Sequence, residues 1–431
     1  MRWLEKDRLT AVSALRRARA QAPSAATEDF SRGRDRIAEL LGASVARNRY
    51  GEFLRLERWF AEPEPCADPE ALGLVLPSLV EPSVLRDPEQ WLFLDTETTG
   101  LAGGTGTCAF LVGLGWWERG GFQVEQLFLR DYDEEHAVLY ALAERMAERP
   151  VLVTYNGKSF DWPLLETRFR LTRQIEPEAF RAHLDLLHPA RALWRLEWGT
   201  ARLAELERHV LGIERGPDIL GELIPRLYFD FLRGGSAEPL VPVFRHNQSD
   251  LASLAALAGH MASLAASPDG AQPLEQYGLS RLFERSGDRA RARRVYEMAI
   301  ASGLPMALGR AARRRLARLA RRDGAVDVAH SLWQELAAEN YGQAWSNETL
   351  SGFPGEDDPA ERKQTLETIL EACEQLAIHA ERVERDTAEA VLWTRRAEHL
   401  LGEAEGIARR CRERWQTRLA RRLERLGSRV G

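Results

Sequence analysis

The apolar run Trp91-Leu92-Phe93-Leu94 ends in Asp95-Thr96-Glu97-Thr98-Thr99-Gly100. The run reads as a β-strand, and strand alternation puts Asp95 and Glu97 on one face, roughly 7 Å apart along the backbone. Two bare carboxylates repel each other, by about 4 kcal/mol at about 4 Å with an effective dielectric near 20. A cation must offset this, and hard oxygen ligands suit magnesium or manganese. A strand with this ending points to an α/β domain whose sheet carries a metal-dependent phosphodiester chemistry.

Two further motifs follow in order. Asn156-Gly157-Lys158-Ser159-Phe160-Asp161 lies after the strand Val151-Leu152-Val153-Thr154-Tyr155 and opens a helix, with Pro163 well tolerated in its first turn. Asp161 alone is equally readable as a helix N-cap. The Gly157-Lys158 pair is not a phosphate loop, because the place of the required upstream glycine is Leu152. His246-Asn247-Gln248-Ser249-Asp250 is expected to head a helix over Ser249–Leu264. His246 and Asp250, four apart, share a face if the helix includes both. Each has a bland reading: a capping histidine, and a first-turn carboxylate favoured by the helix dipole. Three acidic motifs in strand–helix–helix order within one domain are much harder to assign to chance.

The pattern around them predicts strands at Trp91–Asp95, Cys108–Trp117, Phe122–Leu129, Val151–Tyr155 and His183–Leu187. Helices are expected at Glu134–Arg149, Asp161–Leu171, Ala201–Leu211 and Ser249–Leu264. Three strands in a meander followed by alternating helices and strands is the order of a ribonuclease-H-like fold, here a five-stranded mixed sheet with flanking helices. Residues 1–87 read as an N-terminal helical segment (Leu9–Ala20, Phe30–Leu41), a strand at Phe53–Phe60 and a proline-rich linker from Ala61 to Pro88. After 88–266, residues 267–431 read as an all-α domain with a weak repeat. Gly287, Ala292, Tyr296 and Ala299 recur as Gly324, Ala329, Trp333 and Leu336, a pattern similar to tetratricopeptide repeats. Residues 340–360 read as a loop interrupting it.

Bulk properties bound the function. The chain has 431 residues, too many for one core, and its 44% apolar and 29% charged content is that of a soluble globular protein. No stretch is long and apolar enough to span a membrane, and Met1-Arg2-Trp3-Leu4-Glu5-Lys6-Asp7 lacks a signal-peptide core. With four scattered cysteines, Cys66, Cys108, Cys373 and Cys411, this gives the expectation of a cytoplasmic protein with free thiols and no membrane partner. The net charge of −6 divides into about −9 over residues 1–270 and about +3 over the rest. Basic charge is almost all arginine, so Lys158, one of three lysines, stands out within a motif. Arg310–Arg322 and Arg409–Arg425 are arginine-rich. They read as solvated helix faces or as a phosphate-tracking surface.

Asp-x-Glu, then Asn-x(3)-Phe-Asp, then a histidine ahead of an aspartate resembles the DEDD superfamily of 3′–5′ exonucleases. The longer strings Asp95–Phe110, Asp185-Leu186-Leu187-His188-Pro189-Ala190-Arg191 and Asp218–Pro225 are similar to the bacterial YprB-type ribonuclease-H-like family. Members of that family often carry tetratricopeptide-like helices behind the domain. The likeness covers about residues 88–265.

This resemblance implies that Asp95, Glu97, Asp161 and Asp250 hold two divalent cations, Mg2+ or Mn2+. It implies that His246 orients or deprotonates the attacking water, and that Thr98, Asn156, Lys158 and Phe160 contact the substrate. Asp185 and Asp218 are expected to anchor loops rather than ligate. One departure stands out: the histidine precedes the last aspartate by four residues, the spacing of the tyrosine-type branch. The resulting expectation is a metal-dependent exonuclease on single-stranded DNA or RNA ends, with helical repeats for substrate or a protein partner. The alternatives are a catalytically weak nucleic-acid-binding scaffold and a structure-specific endonuclease.

Overall fold

In the computed structural model, seven strands form one mixed sheet in the order β1-β2-β5-β4-β3-β6-β7. The structure describes residues 36–76, 80–100, 106–216, 218–338, 359–404 and 408–428, with the backbone alone at 359–362. The expected helix Leu9–Ala20, residues Leu101–Thr105 and most of the expected 340–360 loop lie outside the described residues. Two compact units divide at Pro268/Asp269.

The strands are β1 (Ser44–Asn48), β2 (Gly51–Phe60), β3 (Trp91–Thr98), β4 (Ala109–Glu118), β5 (Gly121–Phe128), β6 (Val151–Thr154) and β7 (Ala182–Asp185). β6 and β7 extend the sheet in parallel from β3, and all other pairings are antiparallel. The sheet has seven strands rather than the expected five, because the β1–β2 hairpin adds to the free edge of β5. Residues 44–60 thus belong to the sheet, not to a separate N-terminal segment. Asn48 fixes this hairpin: its Oδ1 accepts from Tyr50 N at 2.9 Å, and its Nδ2 donates to Ala137 O at 2.8 Å. The supposed linker also folds in part, with α1 (Pro69–Val75) burying Leu72 and Val75.

Helices α2 (Glu135–Glu148), α3 (Asp161–Thr172), α4 (Leu187–Trp198), α5 (Ile224–Leu232) and α6 (Val241–Ala266) complete the first unit. β3 is covered on both faces. Leu92 and Leu94 pack with Leu142, Met146, Leu165 and Phe169, while Trp91 and Phe93 meet Trp117 in aromatic contacts at 5.7 and 4.9 Å. α6 starts at Val241, with Pro242 in its first turn, well before the expected Ser249. The third motif therefore sits inside a 26-residue helix. The first-turn, dipole-favoured reading of Asp250 is thereby corrected.

The second unit is helical: α7 (Pro273–Ser286), α8 (Arg289–Ala301), α9 (Met306–Arg322), α10 (Val326–Ala338), α11 (Pro359–His379), α12 (Thr387–Glu403) and α13 (Arg409–Gly427). The repeating positions do equivalent work. Gly287 and Gly324 follow α7 and α9 with φ of 88° and 78°, a region where glycine avoids the Cβ penalty. Ala292, Tyr296, Ala299, Ala329, Trp333 and Leu336 are all buried. On α9 the apolar stripe Ala312, Leu316, Leu319 and Ala320 is buried as its spacing predicts.

Many of its arginines are engaged in ion pairs with neighbouring helices. Arg314 and Arg318 both bind Glu371 of α11 at 2.5 Å, and Arg315 binds Glu284 at 2.8 Å. On α13, Arg418 meets Glu374 at 2.5 Å and Arg422 meets Glu381 at 3.2 Å, with Arg425 also on Glu381. These side chains tie helices to one another, while Arg318, Arg321 and Arg322 stay exposed.

Candidate active site at the end of the central strand

A row of residues across three strands builds the floor. Asp95 on β3 pairs with Gly113 on β4, which pairs with Gln126 on β5. Asn247 from α6 lies over this row, wholly buried. Its Nδ2 donates to Asp95 Oδ2 at 2.7 Å, and its Oδ1 accepts from Gln126 Nε2 at 2.7 Å. Gly113 permits this approach, since a Cβ there would stand 2.2 Å from Asn247 Oδ1. α6 is thereby fixed so that His246 and Asp250 flank the end of β3.

The second wall is the loop between β6 and α3. Asp185, buried at the end of β7, accepts backbone N–H bonds from Asn156 at 2.8 Å, Lys158 at 3.1 Å and Leu187 at 3.1 Å. Asn156 has φ of 67°, a left-handed conformation that asparagine tolerates. The loop so held delivers Asp161 as the first residue of α3, where its Oδ1 accepts from Thr96 Oγ1 at 2.6 Å. Phe160 beside it is exposed (60%), and Thr98 Oγ1 donates to Gly100 O at 3.0 Å.

Asp95, Glu97, Asp161 and Asp250 converge on one electrostatic neighbourhood. Burial first, then the charges of Asp250 and Asp161, push the Asp95 carboxyl well above the usual range, against the Asn247 hydrogen bond and Arg215. Burial and the charges of Asp95, Asp250, Asp161 and Asp218 push Glu97 up to about 10. Burial raises Asp161 as well, opposed chiefly by its Thr96 hydrogen bond. Hard oxygen donors, partly buried and mutually repelling, fit a divalent cation.

Arg215 is the member of this neighbourhood that the sequence did not disclose. Its guanidinium bonds Asp250 and the buried Glu207, and reaches Asp218 at 2.9 Å. His246 Nδ1 lies 2.9 Å from Asp218 Oδ1 and its Nε2 lies 3.6 Å from Asp250 Oδ2. The same Nδ1 lies 3.2 Å from the guanidinium of Arg215, so the ring is held between Asp218, Arg215 and Asp250. Arginine is this chain's ordinary basic residue, so position 215 carried no signal. Asn247, one of five asparagines, carried a faint one.

Residues 92–262 match the RNase_H superfamily through its RNase_H_2 profile. This segment is a ribonuclease-H-superfamily domain. The chain is also similar to the uncharacterized protein YprB of Bacillus subtilis (strain 168), with 34% identity over 248 residues. That alignment covers 57% of this chain and 59% of YprB, so the chain spans under two thirds of that relative. The matched segment of the ribonuclease-H-like domain contains all four carboxylates, Arg215 and His246. Among the described residues, no helix is long and apolar enough to cross a membrane.

Proposed function

We propose that the ribonuclease-H-like domain is a divalent-cation-dependent 3′–5′ exonuclease acting on single-stranded DNA or RNA ends. The observation that carries this reading is the gathering of Asp95, Glu97, Asp161 and Asp250 from β3, α3 and α6 into one partly buried, mutually repelling group. Those four residues would hold two cations, Mg2+ or Mn2+. Bound there, the cations would neutralise the carboxylates, activate water and stabilise the leaving 3′ oxygen. His246, oriented by Asp218, accepts a proton at Nε2. Exposed Phe160 offers a ring to the terminal base, and Asn156 and Lys158 offer polar contacts beside it. Thr98, at the end of β3, is assigned to substrate contact as well. The helical unit is assigned to substrate or protein-partner binding through tetratricopeptide-like stacking, in a cytoplasmic protein.

One observation favours a second reading, a nucleic-acid-binding scaffold of little activity: Arg215 already covers one oxygen of Asp250. A single experiment separates the two. The full chain is incubated with 3′-labelled single-stranded DNA and RNA, with manganese and with chelator, and compared with Asp95→Asn and His246→Ala. The enzyme reading expects release of the terminal label with manganese and loss of that release in Asp95→Asn. In His246→Ala it expects a fall of about 10²–10⁴, the usual worth of a general base. Tight binding without cleavage supports the scaffold. Cleavage of end-blocked strands makes the enzyme an endonuclease.

A further inference from the structure

A second cluster of ligating side chains lies in the helical unit. His330 is on α10 and His379 ends α11, where the helix widens into a five-residue turn, Ala380–Glu384. That wide turn brings Glu384 back beneath His379, with the Nε2 of His379 3.5 Å from Oε1 of Glu384. The turn closes at Arg385, whose φ is 59°, with Asp386 N donating to Ala380 O at 2.9 Å. Such widened turns recur at functional positions in helices.

One ligand atom from each of His330, His379 and Glu384 lies within 4.8 Å of the other two. The two imidazole centroids are 3.9 Å apart with planes tilted by 35°. His330 Nδ1 is buried and has no hydrogen-bond partner. An unpartnered buried nitrogen on a ring packed against a second imidazole, with a carboxylate beside both, is what a metal ion would satisfy. Asp327, one turn before His330 on the same helix, adds negative charge nearby.

We propose that His330, His379 and Glu384 bind one divalent transition-metal ion of the zinc class, cross-linking α10 to the end of α11. Bonds of about 2.0–2.1 Å in a tetrahedral site put ligand atoms about 3.3 Å apart. The His379–Glu384 separation already matches that edge, and the His330 ring must turn out of its contact with His379 to complete a face. Two imidazoles with one carboxylate select zinc, cobalt or nickel over magnesium, the reverse of the all-oxygen group in the first unit. Glu384 is partly open to solvent, so the ion has a way in and water supplies the fourth ligand.

The test uses the full chain carrying Asp95→Asn, which removes one ligand from the carboxylate group, titrated with Co2+ and then Zn2+. The expected result is one equivalent of Co2+ giving a visible ligand-field spectrum of tetrahedral type, displaced by Zn2+ and unaffected by excess Mg2+. His379→Gln and His330→Gln should weaken binding on the order of 100-fold or more, because each removes a ligand. Zn2+ should raise the melting temperature of the His-intact chain and leave these variants unchanged. Should a variant fold poorly, paramagnetic broadening of the His330 and His379 ring resonances by Co2+ in the His-intact chain decides the matter. No Co2+ spectrum, or equal binding after His379→Gln, overturns the site and leaves two stacked imidazoles with a structural role.

Discussion

At the end of β3, carboxylates are gathered faster than positive charge is supplied, while on α9 and α13 arginine after arginine meets a glutamate from another helix. Asp95 and Glu97 repel Asp161 and Asp250, and the guanidinium of Arg215 reaches only the Asp250 side. In the helical unit, Glu371 answers Arg314 and Arg318, and Glu381 answers Arg422 and Arg425. Charge matched within the fold serves stability. Charge left unmatched at the open end of a sheet is held there by the rest of the fold, and it marks where a ligand belongs.

The two regions respond oppositely to pH, and this is the largest effect expected. Glu97 is raised from 4.5 to about 10, so the folded state holds a proton that the unfolded state has released between those values. Stability from this group is full below pH 4.5 and falls as pH rises towards 10, by up to about 1.4 kcal/mol per pH unit for one proton. The cation-free chain should therefore melt at a lower temperature at about pH 9 than at about pH 6, and manganese should reverse that trend. Glu97→Gln should flatten it. An unchanged slope in Glu97→Gln would mean that the carboxylates are not coupled as the geometry indicates.

Arg215→Gln sharpens the comparison next. Removing the one guanidinium bonded to Asp250 leaves that carboxylate free and takes a positive charge from the neighbourhood. Manganese affinity should rise roughly tenfold, about 1.4 kcal/mol, as read by calorimetric titration. Weaker binding would instead make Arg215 the clamp that sets Asp250 in position for the ion.

Much of this site was legible in the chain. Strand alternation placed Asp95 and Glu97 together, and Pro163 marked the start of α3, so Asp161 was assigned to the right end of the right helix. The start of α6 was misread because the acidic motif drew attention from Pro242, the better start signal. β1 escaped notice because its exposed, alternating residues bury no apolar face. Arg215 lies 35 residues before Asp250, and no periodicity links a loop to a distant helix. The arginine runs left two readings open for a different reason: composition counts charges, while their pairing with Glu371, Glu374 and Glu381 exists only in the packed helices.

That pairing yields the smallest of these effects and the closest test of matched charge. Burial alone would raise Glu371, but the hydrogen bond from Arg318 and the charge of Arg314 outweigh it and hold the carboxyl below its usual range. A depressed carboxylate contributes stability above about its unfolded value of 4.5 and loses it as pH falls, the opposite sign to Glu97. Glu371→Gln should then cost the helical unit about 1 kcal/mol near neutral pH, discounted because Arg318 is half exposed. The loss should vanish in acid, where the native carboxyl is protonated as well. Thermal melts of the full chain at about pH 7 and about pH 3 measure both. A variant as stable as the native chain at neutral pH would show that these arginines are tolerated on their helices and contribute nothing by being matched, and the contrast with the sheet edge would then rest on the acidic side alone.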